Sequence, residues 1–178
     1  MKKIFIVLMS IFLLASTACA NGSKGTKASN KGELSDMKIS LQITSDSGSH
    51  KLTATLVDNS SAMAFYELLE KGPVTIKMTD YGNFEKDGPL GTTLPRNDTQ
   101  ITTTAGDIIL YQGNQITIYY DTNSWNFTRL GKVVSTGSTT SITQAELKKI
   151  LGKGNVTAVF RHCEERSDEA IHNTGGTK

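Results

Sequence analysis

Three carboxylic acids, Asp80, Glu85 and Asp87, crowd one short stretch, Thr79-Asp80-Tyr81-Gly82-Asn83-Phe84-Glu85-Lys86-Asp87-Gly88-Pro89-Leu90-Gly91. Paired carboxylates can run general acid–base chemistry when burial or a like charge moves one of them toward neutral pH. Here Asp80 and Asp87 read as turn residues and Glu85 as a solvated loop charge. The same stretch carries Tyr81 and Phe84, and Tyr119, Tyr120, Trp125 and Phe127 follow further along. Aromatic rings near loops can line a groove for a peptide or small ligand, with Glu85 or Arg129 fixing its polarity. Tyr120 and Phe127 read as ordinary packing. The candidate ligand-binding residues are Tyr81, Phe84, Glu85, Trp125 and Arg129.

Other chemistries find little to work with. The three histidines are His50, His162 and His172, and only His50 falls within the folded core. A Ser-His-Asp triad would have to use it, and no G-x-S-x-G elbow is present. Cys19 and Cys163 both lie outside the core, so neither a disulfide framework nor a cysteine metal site is expected. Adjacent His162 and Cys163 lack the paired spacing that zinc sites use. Gly88-Pro89-Leu90-Gly91 precedes no helical pattern, which removes it as a phosphate cradle. The net charge is +2, and Lys2 and Lys3 belong to the leader, so the remainder is near neutral and gives no argument for nucleic acid. No catalytic residue, metal or cofactor is expected.

The elements that must position these residues are mostly short strands. Met37, Ile39, Leu41 and Ile43 alternate with polar residues, and Leu52, Ala54 and Leu56 do so again, which makes a first hairpin around Ser45–Ser49. Asp58-Asn59-Ser60-Ser61 offers helix caps before Ala62, Phe65, Tyr66, Leu68 and Leu69 at helical spacing, and Gly72-Pro73 closes that helix. Val74, Ile76 and Met78 form a strand entering a Tyr81 loop. A second hairpin spans Gly106–Tyr120, turning at Gln112-Gly113-Asn114. In its second arm Ile116, Ile118 and Tyr120 share one face and Gln115, Thr117 and Tyr119 the other. Phe127–Val134 reads as a strand. Thr143 and Glu146 fit a capping box ahead of Leu147, Ile150 and Leu151, and Val156, Ala158 and Phe160 give a last strand. Many short strands with two short helices predict a closed antiparallel barrel with helical caps.

The ends read differently. Lys2-Lys3, an apolar run Ile4–Ala15 and small residues up to Cys19 have the three-part layout of an export signal over 1–20. Ala18-Cys19-Ala20 allows cleavage after Ala20, giving a secreted or periplasmic soluble form. Cys19 also resembles the lipid-modified cysteine of bacterial lipoproteins, which implies a membrane-anchored protein. Residues 21–36 have the Gly, Ser, Asn, Lys and Thr composition of a flexible tether, suited to an anchored protein. Residues 161–178, beginning Arg161-His162-Cys163-Glu164-Glu165-Arg166, are charge-dense, look like the translation of a dispersed genomic repeat and are expected to form a disordered or irregular tail.

Residues 37–160 make the folded domain, and an ordered set of short motifs runs through it. These are Asp58-Asn59-Ser60-Ser61-Ala62, Asp80-Tyr81-Gly82-Asn83-Phe84-Glu85-Lys86, Gly88-Pro89-Leu90, Leu94-Pro95, Gly106-Asp107-Ile108, Tyr111, Asn123-Ser124-Trp125 and Thr128-Arg129-Leu130-Gly131. Together they resemble the bacterial cyclophilin-like domain family, which also occurs fused to flavodoxin-like domains. The resemblance implies a cyclophilin-type barrel of about eight strands with two short capping helices. True cyclophilins are prolyl isomerases whose catalytic Arg stands a few residues before a Phe-Met-x-Gln run. Neither Arg96 nor Arg129 has that context, and Trp125 sits in Asn-Ser-Trp-Asn. The expectation is therefore an exported, non-catalytic module that binds a peptide or small ligand. A divergent peptidyl-prolyl isomerase acting on exported chains is the alternative.

Overall fold

The computed structural model describes residues 37–135 and 140–163. The export signal, Cys19, the tether and the tail beyond Cys163 lie outside the described residues.

Among the described residues nine strands and two helices follow in the order β1 (Lys38–Ser45), β2 (Gly48–Leu56), α1 (Ser60–Glu70), β3 (Val74–Tyr81), β4 (Glu85–Pro89), β5 (Thr99–Thr102), β6 (Asp107–Tyr111), β7 (Gln115–Tyr119), β8 (Ser124–Val134), α2 (Gln144–Leu151) and β9 (Val156–His162). Neighbours run β2-β1-β9-β3-β4-β7-β6-β8, and β8 pairs back onto β2, so eight antiparallel strands close a barrel. The ninth, β5, lies on β8 outside the ring. Closure removes the free edges that an open sheet would present.

The period-two pattern explains the core. Ile39, Leu41 and Ile43 of β1, Ile116 and Ile118 of β7, Tyr120 beyond it, and Ala158 and Phe160 of β9 all point inward. Phe65 of α1 meets Phe160 edge-on with centroids 5.5 Å apart, so this helix is seated on the barrel wall by its apolar stripe. Both helices start as their caps dictate: Asn59 accepts from the Ala62 amide and Thr143 from the Glu146 amide. Gly131 stands where β8 meets β2. A Cβ there would fall 2.5 Å from the Thr55 carbonyl oxygen, so only glycine lets the two strands come this close.

Three features differ from the sequence reading. The stretch after Tyr81 is a tight turn and then β4, with Glu85, Lys86 and Asp87 in the barrel wall and not in a loop. Charged side chains at three successive positions hid its alternation, because the inward residue is a lysine. Lys86 is fully buried, with Nζ 2.7 Å from Asp80 and 2.7 Å from the Gly154 carbonyl oxygen. The strand expected to begin at Phe127 begins at Ser124, because the polar segment Thr99–Thr102 pairs with it as β5. The last strand runs on through Arg161 and His162, which pair with Ser40 and Ile39 of β1.

Candidate functional site

The inward alternation of β7 forces Gln115, Thr117 and Tyr119 onto the outer wall, as the sequence predicts. On β4 the outward residues are Glu85 and Asp87. Register sets Tyr81 opposite Glu85 and Glu85 opposite Tyr119, so three strands contribute one cross-strand row. Trp125 and Phe127 of β8, Tyr111 at the end of β6 and Asn123 complete the wall of a hollow of about 430 Å³. A second small cluster, Ile109, Tyr119 and Phe127, forms its floor outside the main core.

Within the hollow the aromatic residues have different duties. Tyr119 and Phe127 are buried and tilted against each other with centroids 5.6 Å apart. Trp125 and Tyr81 stand on the rim, 61% and 62% exposed. Phe84 is not in the lining. It meets the Tyr81 ring edge-on at 5.9 Å and stacks on Tyr119 at 6.1 Å, so it supports the row from one end. Arg129 is also outside the lining. Its guanidinium is engaged 3.2 Å from Asp107, an acid that Lys132 approaches from the other oxygen at 3.1 Å. Its Nε is buried without a partner.

Glu85 is the chemically distinctive residue. It is only 9% exposed. The Tyr119 hydroxyl donates to its carboxyl, and the Asn123 amide donates to that hydroxyl at 3.4 Å. Its Oε2 is buried and has no hydrogen-bond partner. Burial pushes the carboxyl up to about 7, the hydrogen bond from Tyr119 pulls it down, and the Asp87 charge pushes it up again. The Tyr119 hydroxyl is driven well above its usual range by burial and by the Glu85 carboxyl beside it. Sequence reasoning placed Glu85 among the candidates but took it for a solvated loop charge. Its burial follows from β4, which no apolar pattern announced.

A larger hollow of about 790 Å³ opens at one end of the barrel, lined by Asp46, Asp80, Tyr120, Lys148 and Lys149 among others. Some of its polar groups are used internally: Asp80 takes Lys86 and the Tyr120 hydroxyl, and Lys148 pairs with Asp121 at 2.9 Å, while Asp46, Lys149 and Lys153 are lining charges of both signs. No buried side-chain atom of the described residues lining it lacks a partner, whereas the outer-wall groove holds Glu85 Oε2, so that groove is the better candidate. A further hollow of about 390 Å³, bordered by Arg96, Asp98 and Gln100, adjoins that groove across Tyr111 and Trp125. Among the described residues no cluster of His, Cys, Asp and Glu is arranged to hold a metal ion.

No curated protein matches the chain. Among solved structures, a hypothetical protein from Archaeoglobus fulgidus, determined in solution, is similar at 13% identity and a TM-score of 0.48, covering 71% of this chain and 96% of its own. The Cyclophilin-like family matches residues 45–161, from the end of β1 into β9, and the chain belongs to that family.

Proposed function

We propose that this protein is a non-catalytic binding module of the bacterial cell exterior, whose outer-wall groove takes an extended peptide or a small ligand. One observation carries the reading. Among the described residues three large apolar side chains are exposed, Met63, Tyr81 and Trp125, and two of them edge the same groove. Exposed aromatic residues on opposite sides of a hollow suit a ligand that lies between them. The adjoining second hollow favours an extended occupant over a compact one.

Catalysis of prolyl isomerisation lacks support. The uncatalysed barrier is roughly 20 kcal/mol, and lowering it requires a donor at the prolyl nitrogen. Among the described residues no Lys or Arg lines the main groove, Arg129 is bound to Asp107, and Arg96 is bound to Asp98. A pocket without the donor holds ground state and transition state alike, giving affinity without rate. The export signal, the tether and Cys19 support a lipid-anchored location, with Cys19 as the modified mature N-terminus; cleavage after Ala20 gives the soluble alternative. Two experiments test the reading. A protease-coupled assay on Ala-Pro peptides should show no isomerisation above background, and activity lost on Arg96→Ala or Arg129→Ala would overturn it. Mass spectrometry of the membrane fraction should find an acylated Cys19, and a soluble chain starting at Asn21 would refute the anchor.

A further inference from the structure

We propose that the groove receives a positively charged organic group, the ammonium or guanidinium of a Lys or Arg side chain on an extended peptide, with Glu85 as its anchor and Asp87 beside it. This rests on the reading of the groove as a binding site and names what it selects. Three independent features agree. Glu85 Oε2 is buried with no donor, while the Tyr119 hydroxyl serves the same carboxyl. A buried acceptor left unpaired is a standing cost, removed when a ligand brings a donor. Asp87 projects to the same side of β4 two residues on, its Oδ1 3.3 Å from the Thr79 hydroxyl. Among the described residues that line the hollow, two are carboxylic and none is Lys, Arg or His. The base between them, Lys86, points inward to Asp80 and Gly154. Finally, the rim rings of Tyr81 and Trp125 present π-faces, which attract cations.

These features discriminate. A carboxylate or phosphate would meet two acids and no base. A proline ring or aliphatic side chain would use the aromatic rim but leave Oε2 unpaired. Only a cation uses the field, the free oxygen and the rings together, and its N–H groups make the stronger, charge-assisted kind of bond. Binding a cation also requires Glu85 to be ionised. The groups facing that carboxyl are Asp87 from its own strand, Tyr81 from β3, Tyr119 from β7 and Asn123 from the loop beyond it. None supplies a positive charge, so affinity rises as Glu85 loses its proton.

Trp125 is the chain's single tryptophan and edges the groove, which makes its fluorescence the reporter. The full chain is titrated with capped pentapeptides Ala-Ala-X-Ala-Ala, X being Lys, Arg, norleucine or Glu, and with an Ala-Pro counterpart. At pH 8 the Lys and Arg peptides should bind about tenfold or more tighter than the norleucine peptide, the ratio expected of one charge-assisted contact. The advantage should shrink at pH 5.5 and vanish in Glu85→Gln. The wild-type pH profile and charge series read the same claim without any substitution, should that variant fold poorly. Norleucine or Ala-Pro peptides binding as tightly as the Lys peptide would overturn the cation preference while leaving groove binding intact. No response to any peptide would overturn both.

Discussion

Glu85 should give the fold an inverted pH dependence. Its carboxyl titrates near 7 in the folded chain against an ordinary 4.5. Between those values the unfolded chain releases the proton that the folded chain keeps, so the unfolded state gains as pH rises. Stability is therefore greatest near the lower value and falls as pH climbs through the upper one. The gap corresponds to about 3 kcal/mol, fully lost above about pH 8. For a domain of this size that is a fall of about 10 °C in melting temperature between pH 5 and pH 8. Glu85→Gln keeps the shape and cannot ionise, so its stability should stay flat over the window. The measurement is urea unfolding followed by circular dichroism at half-unit steps, with the slope m unchanged between proteins. Asp80 and Asp98 do not blur the result. Against the upward push of burial, hydrogen bonds from Lys86 and Tyr120 hold Asp80 below 3.8, and hydrogen bonds from Arg96 and Thr128 do the same for Asp98. Their contributions are present above that range and disappear only as pH falls below it. Parallel curves for wild type and Glu85→Gln, or a wild type that gains stability from pH 5 to pH 8, would refute the assignment of Glu85 as a buried, half-ionised acid.

Three further outcomes follow from the packing. Gly131→Ala should destabilise by about 1–3 kcal/mol in a urea melt, because the new methyl meets the Thr55 carbonyl oxygen at the barrel seam. Phe160→Ala should cost about 3–5 kcal/mol by emptying the space against Phe65, whereas truncation after Cys163 should shift the melting temperature by only a few degrees. Lys86→Met should cost about 3 kcal/mol or more, since it strips Asp80 of its cation and the Gly154 carbonyl of its donor; thermal unfolding at neutral pH measures it.

How legible each part was depended on whether its pattern was written in apolar residues. The β1–β2 hairpin and the β7 arm of the β6–β7 hairpin alternate hydrophobic and polar side chains, so their faces could be read directly and the outward set Gln115, Thr117 and Tyr119 came with them. Both helix starts were visible in Asn59 and Thr143. In the β6–β7 turn the left-handed positions are Gln112 and Gly113, while Asn114, a residue well suited to that geometry, is not among them. The β4 strand was invisible because its buried inward residue is charged, and β5 because its four residues, largely exposed, gain their place only from the partner strand β8. The site inherited this gap. Tyr81 and Trp125 stood out as aromatic residues, but nothing local says that Glu85 is shielded, since its burial is made by Tyr119 from another strand. Arg129 looked available for a ligand. Its acid, Asp107, lies on the neighbouring strand β6, and that pairing appears only once β6 and β8 are set side by side.

The same alternation ties the site to the stability of the barrel. Side chains on β4 point in and out by turns, so the inward Lys86 and the outward Glu85 and Asp87 cannot be chosen independently. A slip of one residue would bury two carboxyls in an apolar interior and present a lysine to the groove. What prevents the slip is the bond set of Lys86, whose ammonium reaches Asp80 on β3 and the Gly154 carbonyl before β9. A buried ion pair of this kind adds little net stability but penalises every arrangement that breaks it. The lysine that hid β4 from sequence reasoning thus fixes the register that gives the groove its negative sign. If the groove binds as proposed, its ligand preference is free to drift through the exposed Tyr81 and Trp125 and the half-buried Asp87 with little effect on folding. The sign of the groove can change only through Glu85 and Asp87 themselves, because exchanging Lys86 unfastens the wall that carries them.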